Sequence, residues 1–462
     1  MASVAPDERS TPLAGTSITD AIGATPLVRL ASLSRDLPNV ELYAKLEARN
    51  PGGSVKDRAA RRIVLDAERS GALADGRILL DATSGNTGIA YAMLGAARGH
   101  AVTLCMPENV SPERTRILDA LGAHIVVTSP LEGSDGAIRE ARRLARRFPD
   151  RYFYADQYGN PSNWRAHYDT TAPEIFAQTA GRITHLVAGL GTSGTFVGTG
   201  RRLRELRPDV RLVSVQPAES FHGLDGLKHM ASAIVPTIYD RTLADENLGI
   251  ETEDAHRTLW RLWREEGVFA GISSGAALAA ALRVAARSPG AVIVCICPDG
   301  GERYLSSGVW NDRPSTDRGG RRDAMDMLVL GPGIDEAIRR HAADDYPHEC
   351  CGALIGRGSR IIEAFALPNT TDEGPRRRFL VRPADYRAAE RQASILGAEL
   401  LGFYHSHPDH PAVPSQYDLD HAWPSFAYVI VSVANGEARD LRSWRLCADR
   451  SGFDEEDVRL DD

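Results

Sequence analysis

Cysteine is scarce in this sequence, with six residues in 462 and no pair in C-x-x-C spacing. Four of the six lie inside apolar runs, so the thiols read as reduced and mostly buried, in a cytoplasmic protein. An excess of positive charge is also lacking, since 54 Lys and Arg stand against 62 Asp and Glu, a net charge of −8. That balance offers nothing to nucleic acid or to an anionic membrane surface. No run is long and apolar enough to span a bilayer, and the first residues, MASVAPDERSTPLAG, have no apolar core of the kind a signal peptide needs. Internal repeats are absent as well.

What is present is length and rhythm. At about 150 residues per domain, 462 residues imply two to four domains. Residues 1–16 read as a disordered arm. From Ser17 to Ser307 short apolar runs (RILLDAT, AVTLCMP, HIVVTS, ITHLVAG, RLVSVQP, AVIVCIC) alternate with Ala-rich and Arg-rich helical stretches. This alternation specifies an α/β architecture of parallel sheets flanked by helices, in two lobes with the ligand between them. Residues 308–323 are polar, contain Pro and Gly, and read as a linker. A smaller α+β domain follows over 324–450, with a helix at IDEAIRRHAADDY and strands at CCGALIG, RIIEAF and YVIVSVA, and 451–462 read as an acidic tail.

The first module is organised around NPGGSVKDR, residues 50–58, in which Lys56 follows a Pro-Gly-Gly turn and opens a helical run. A lysine there, behind glycines that let a ligand approach the backbone, is a candidate nucleophile toward a cofactor aldehyde. TSGNTG (83–88), GTSGT (191–195) and GISSGAA (271–277) follow it. The segment Gly191, Thr192, Ser193, Gly194, Thr195 comes after a strand and before a helix, so its N–H groups and hydroxyls can converge on a phosphate. Gly189, Gly191 and Gly194 also spell the dinucleotide fingerprint G-x-G-x-x-G. The next strand ends in Gln216 and Pro217 rather than in a ribose-binding acid, though Glu219 is close by, and the Lys56 motif argues for the other cofactor.

These four motifs, in this order, resemble the cysteine synthase branch of the β-family pyridoxal-phosphate enzymes. The resemblance implies a fold type II domain, commonly dimeric, that replaces the β-substituent of an activated serine with sulfur. By that resemblance Lys56 binds pyridoxal phosphate and moves the Cα proton, Asn86 hydrogen-bonds the ring hydroxyl, and Ser273, rather than Ser274, faces the ring nitrogen. Thr83, Ser84, Thr87 and Gln157 match positions that hold the substrate carboxylate. Lys228 aligns with a basic position that binds phosphate in O-phosphoserine-using members, which favours O-phosphoserine over O-acetylserine. Two departures stand out: Lys228 replaces an Arg, and Ser193 stands where Gly is usual.

In the second module His405 and His407 of GFYHSHPDH are two apart, so on a strand both rings face one way. Asp418 follows in PSQYD, and two imidazoles with one carboxylate suit a tetrahedral zinc that keeps a fourth position open. With Glu349 upstream and Ser415 three residues before Asp418, the pattern resembles the JAMM metalloproteases. By that resemblance His405, His407 and Asp418 bind Zn2+, Glu349 is the general base and Ser415 stabilises the oxyanion. His410 and His421 are off-pattern. Such enzymes cleave amides next to ubiquitin-like C-terminal tails.

Together the modules resemble the two halves of a bacterial route to cysteine. In that route a ubiquitin-like sulfur carrier with a C-terminal thiocarboxylate supplies the sulfur, and a JAMM hydrolase then frees cysteine from the carrier. The alternatives are a sulfide-using cysteine synthase or cystathionine synthase whose second domain only docks a ubiquitin-like protein, and a protease with an unrelated partner domain.

Overall fold

The computed structural model describes residues 17–108, 110–129, 132–220, 222–307, 309, 327–369, 383–422, 426–447 and 452–461. The expected arm at 1–16 and nearly all of the expected linker lie outside them. The chain divides into two compact units, Met1–Pro314 and Ser315–Asp462.

The first unit holds two sheets. One has six strands in the order Leu27–Arg29, Glu41–Leu46, Val292–Cys297, His185–Gly189, Arg211–Pro217, Glu246–Ile250. Only its first pair is antiparallel. The other is wholly parallel, in the order His124–Thr128, Val102–Pro107, Ile78–Ala82, Tyr152–Tyr154. All six apolar runs singled out in the sequence are strands of these sheets. Their apolar character has a direct cause: helices cover both faces of the inner strands, while the edge strand His124–Thr128 stays part-exposed, with Val127 open to water. Val187, Val213, Ile293 and Cys295 pack in one core with the helix Ile272–Ala285. Their strand neighbours Leu186, Leu212, Val294 and Ile296 pack on the opposite side with Phe196 and Val197. Ile272–Ala285 is buried nearly all round, which explains its run of small alanines.

The packed part of this unit runs past its expected end at Ser307. Val309 is buried and its carbonyl accepts a hydrogen bond from Trp260 Nε1 at 3.2 Å, so the boundary at 308 is too early. The polarity of the neighbouring residues hid one apolar anchor.

The second unit is a closed barrel of seven strands, Met327–Leu330, Arg360–Leu367, Cys351–Arg357, Glu399–Pro408, Ala427–Ala434, Glu437–Leu446 and Phe453–Leu460, the last pairing back onto the first. The helix Ile334–Asp344 supplies Ile334, Ile338 and Ala342 to its core. The expected acidic tail is therefore corrected: Phe453–Leu460 is the strand that closes the barrel, paired with Glu437–Leu446 and Met327–Leu330. Its one fully buried position is Glu456, held by Arg445 Nε at 2.6 Å and Ser443 Oγ at 2.9 Å. A strand whose inward residue is a paired acid shows no apolar alternation.

Candidate active sites

In the first unit the functional segments leave the carboxyl ends of strands, where open parallel sheets place ligands. Three helices begin at one cavity. Lys56 is the first residue of Lys56–Arg69, Asn86 the first of Asn86–Arg98, and Gly194 the first of Gly194–Leu206. Lys56 and Asn86 line the cavity, together with Thr192, Ser193 and Thr195 on either side of Gly194, and with Ser273 and Asp299. The partial positive charge at three helix N-termini makes it a favourable place for an anion.

Val55 is pinned by its N–H to the Pro298 carbonyl at 2.8 Å, and Ser54 bridges to Asp299, which sets where Lys56 emerges. Burial lowers the pKa of the Lys56 amine, opposed by the negative charge of Asp299. The Gly191–Thr195 loop fits a phosphate. Ser193 adopts a left-handed φ of 68°, which accounts for the usual preference for Gly there. Its buried hydroxyl has no partner among the described residues, the signature of a donor waiting for a ligand. A Cβ on Gly194 would sit 2.0 Å from Asn163 Oδ1, and one on Gly191 2.5 Å from the Gly226 carbonyl. The cradle is tight because the Asn163 side chain and the Gly226 backbone pack directly against it. Ser273 lines the cavity, whereas Ser274 is fully buried away from it. These residues fit pyridoxal phosphate.

Thr83, Thr87 and Gln157 are all buried at the end of the strand Ile78–Ala82. Thr83 Oγ1 accepts from the N–H groups of Gly85 and Gly88 at 3.0 and 3.2 Å, and Thr87 Oγ1 donates to Gln157 Oε1 at 2.7 Å. Gln157 Nε2 donates to the Ala82 carbonyl at 2.6 Å; Ser84 and Asn86 are half-buried, and of these only Asn86 lines the cavity. Lys228 is placed differently from expectation. Its ammonium is buried, paired with Asp135 at 2.8 Å and set 5.2 Å from the Tyr158 ring, and it does not line the cavity around Lys56.

Sequence reasoning missed the segment Asp299–Tyr304, in PDGGERY. Asn86 Nδ2 donates to Asp299 Oδ2 at 2.6 Å, and Arg303 donates to Asn86 Oδ1 at 2.6 Å and to the Gly52 carbonyl. Tyr304 donates to the same Asp299 oxygen at 2.7 Å. The available signal was an acid immediately after the last apolar strand, Val292–Cys297.

In the second unit both histidines lie on one strand, Glu399–Pro408, as their spacing requires. His405 Nε2 and His407 Nε2 are 3.1 Å apart, and the Asp418 oxygens lie 3.2 and 3.6 Å from them. Bonds of about 2.0–2.1 Å to a tetrahedral ion put donors about 3.3 Å apart, so the three fit a zinc ion. Among the described residues this is the one such cluster of three. His407 Nδ1 is 3.0 Å from the Pro411 carbonyl, which presents Nε2 to the cluster. Asp418 is held well below the usual carboxylate range by both histidines and the Ser415 N–H, against the cost of burial. The register Cys351 with His405 carries Glu349 to a place opposite His407. Burial pushes its carboxyl up to about 8, with His407 opposing and Asp418 adding. Ser415 caps the helix Gln416–His421 and its hydroxyl donates to Asp418 Oδ2 at 2.7 Å.

The cavity with its lysine and glycine-rich loop is that of a cofactor-dependent enzyme, and the barrel carries a cluster of two histidines and an aspartate. Comparison agrees: residues 18–299 match the family of pyridoxal-phosphate dependent enzymes, and 333–447 match prokaryotic homologs of the JAB domain. The chain belongs to the pyridoxal-phosphate dependent enzymes, in a cysteine synthase-like form with a C-terminal JAB domain. It is 51% identical over 298 residues to a cysteine synthase of Aquifex aeolicus, covering 63% of this chain and 91% of that one. It is 41% identical over 329 residues to an O-ureido-L-serine synthase of Streptomyces lavendulae, covering 69% and 98%. The crystal structure of a cysteine synthase from Entamoeba histolytica superposes with a TM-score of 0.63 at 35% identity, covering 68% of this chain and 95% of that one.

Proposed function

We propose that the chain makes cysteine in two steps. The first unit replaces the β-substituent of an activated serine with the sulfur of a thiocarboxylated ubiquitin-like carrier, and the second hydrolyses the resulting carrier-cysteine amide. The observation that carries this reading is the intact set His405, His407, Asp418 and Glu349 in the same chain as a cysteine synthase-like domain, since a docking module has no need of a buried metal triad.

Pyridoxal phosphate, when bound, supplies the electron sink that makes the Cα proton acidic and the β-substituent a leaving group. Lys56, whose amine burial makes less basic, takes that proton. Thr83, Ser84, Thr87 and Gln157 hold the substrate carboxylate at the start of the helix Asn86–Arg98. Asn86, held by Asp299 and Arg303, would be the residue to bond the ring hydroxyl, and neutral Ser273 the one to meet the ring nitrogen. The carrier sulfur then forms the new C–S bond, and the thioester passes to the cysteine nitrogen, giving an amide. In the second unit His405, His407 and Asp418 would hold a zinc ion, which when bound would make a water molecule acidic enough to ionise near neutral pH. Glu349 takes a proton from the attacking water, Ser415 donates to the carbonyl oxygen, and cysteine leaves with the proton Glu349 returns.

O-phosphoserine is the proposed substrate on the strength of Lys228, whose ammonium must leave Asp135 to reach a phosphate. That pair, at 2.8 Å, favours a second reading in which an uncharged ester such as O-acetylserine is used. Turnover of both esters by Lys228→Ala separates them, because only loss confined to O-phosphoserine supports the first.

The central test is the intact mass of a thiocarboxylated carrier incubated with the full chain and O-phosphoserine, with and without a chelator. Carrier-cysteine that accumulates only under chelation supports both steps. An unchanged carrier while sulfide becomes cysteine sinks the carrier reading.

A further inference from the structure

His407 lies at the end of its strand, and its ring is held from outside the metal cluster. Its Nδ1 is 3.0 Å from the Pro411 carbonyl. A carbonyl oxygen can only accept, so Nδ1 carries the proton and the Nε2 lone pair is left toward His405 and Asp418. That carbonyl belongs to the loop between the strand Glu399–Pro408 and the helix Gln416–His421. The ring is therefore fixed only as well as the loop is.

The loop has little of its own to fasten it. Pro411 and Pro414 have no N–H to give. The N–H of His410 goes to the His407 carbonyl at 3.4 Å and that of Val413 to the Pro411 carbonyl at 2.8 Å. Both bonds are local, so they shape the loop without tying it to the barrel. At its entrance the Asp409 N–H donates to the Val433 carbonyl at 2.7 Å, and at its exit Ser415 caps the helix. Its middle is held by Trp444, whose Nε1–H donates to the Ala412 carbonyl at 3.0 Å.

Trp444 comes from the strand Glu437–Leu446, two strands away from the histidines. Register carries it to them. Phe403 stands opposite Tyr428, and Tyr428 opposite Trp444, so the three side chains share one face of the sheet. Phe403, His405 and His407 alternate onto that same face. Trp444 packs in an aromatic cluster with Phe403, Tyr428 and Phe453, and its one polar atom meets the carbonyl next to the one that holds His407.

We infer that Trp444 is a positioning residue for the metal cluster, acting through the Ala412 carbonyl to fix the Pro411 carbonyl on which His407 Nδ1 rests. The inference rests on the reading of His405, His407 and Asp418 as a zinc site. The test measures the zinc Kd of the full chain by competition with a chromophoric chelator, in the unaltered protein and in its Trp444→Phe and Phe453→Leu variants. Trp444→Phe keeps a ring in the cluster and removes the N–H. Phe453→Leu loosens the same cluster, since Phe453 meets the Tyr428 ring edge-on at 5.6 Å, and leaves the bonds of the loop in place.

The expected result is zinc binding about tenfold weaker in Trp444→Phe, the lower end of the range for losing a partner outside the ligand shell, and an unchanged Kd in Phe453→Leu. Equal losses in the two variants, or none in Trp444→Phe, would overturn the role. If the unaltered chain binds no zinc, or binds it equally well after His407→Ala, the zinc reading itself falls and the inference with it. Should Trp444→Phe not fold, solvent exchange of the Trp444 indole N–H in the unaltered chain decides. Slower exchange on zinc binding supports the role, and an unchanged rate overturns it.

Discussion

Asn86 and Asp299 are 213 residues apart in the chain and meet amide to carboxylate at 2.6 Å. The contact joins the helix start after Ile78–Ala82 in one sheet to the loop after Val292–Cys297 in the other, so it ties two lobes at the cavity they share. Asp299 is fully buried, and its other oxygen, Oδ1, has no partner among the described residues. Burial raises the pKa of this carboxyl, while Tyr304, Asn86 and Arg303 act to keep it ionised.

That geometry predicts the behaviour of Asp299→Asn. Asp299 is the charge that opposes the effect of burial on Lys56. Removing it lowers the pKa of the Lys56 amine further, so the pH midpoint for acylation of Lys56 in the apoprotein moves down. Peptide mass spectrometry across a pH series reads the midpoint. A midpoint that stays in place would remove Asp299 from any electrostatic role.

Two residues after Lys56, Arg58 is buried against Glu47 at 2.7 Å and Glu174 at 2.7 Å, and Glu174 also pairs with the buried Lys45 at 2.7 Å. Arg58→Met leaves Glu47 buried without its cation, an arrangement that costs about 3–5 kcal/mol. Denaturant unfolding of the first unit should show that loss. Arg58→Lys should recover only part of it, because one ammonium cannot match the fork that Arg58 presents to both carboxylates.

Stability of the first unit should also fall as pH rises. Asp81 is fully buried, and burial pushes its carboxyl up to about 7 although the N–H groups of Ala82 and Gln157 favour the ionised form. Between the unfolded value of 3.8 and about 7 the native chain keeps a proton that the unfolded chain has lost. The stabilisation is complete below that window and is lost as pH climbs through 7. Asp81→Asn should make the slope of stability between pH 5 and 8 shallower by up to about 1.4 kcal/mol per pH unit. An unchanged slope would mean that Asp81 is ionised throughout.

Chemistry that is local in the chain was legible in the sequence. Lys56, the Gly191–Thr195 loop and the His405, His407, Asp418 set each occupy a few neighbouring residues, and their spacing alone limits what they can do. The pairs that orient them are long-range and polar. Asp299 with Asn86, Arg58 with Glu174, and Trp444 with Ala412 join residues 213, 116 and 32 positions apart. No periodicity marks such partners. Phe453–Leu460 was misread for a related reason, since its buried residue is Glu456. Its place in the barrel predicts that a chain ending at residue 450 loses the cooperative unfolding transition of the second unit, because Met327–Leu330 and Glu437–Leu446 are both left as open edges.

Metal linkage gives the most direct measurement on the second unit. An ion that binds the native barrel and not the unfolded chain stabilises it by about 2.7 kcal/mol at a free concentration one hundred times its Kd. Zinc added to the stripped protein should therefore raise the midpoint of the second unit's transition. His407→Ala and Asp418→Asn should abolish the increment, because each removes a donor from the 3.1–3.6 Å triangle. Glu349→Gln should keep it, since Glu349 stands beside the triangle and is not one of its corners. Hydrolysis of a carrier-cysteine amide should nonetheless be lost in Glu349→Gln, as the group that accepts the water proton is gone. A Glu349→Gln protein that loses the zinc increment together with hydrolysis would make Glu349 a ligand, and the proton-transfer role proposed for it would have to pass to another residue.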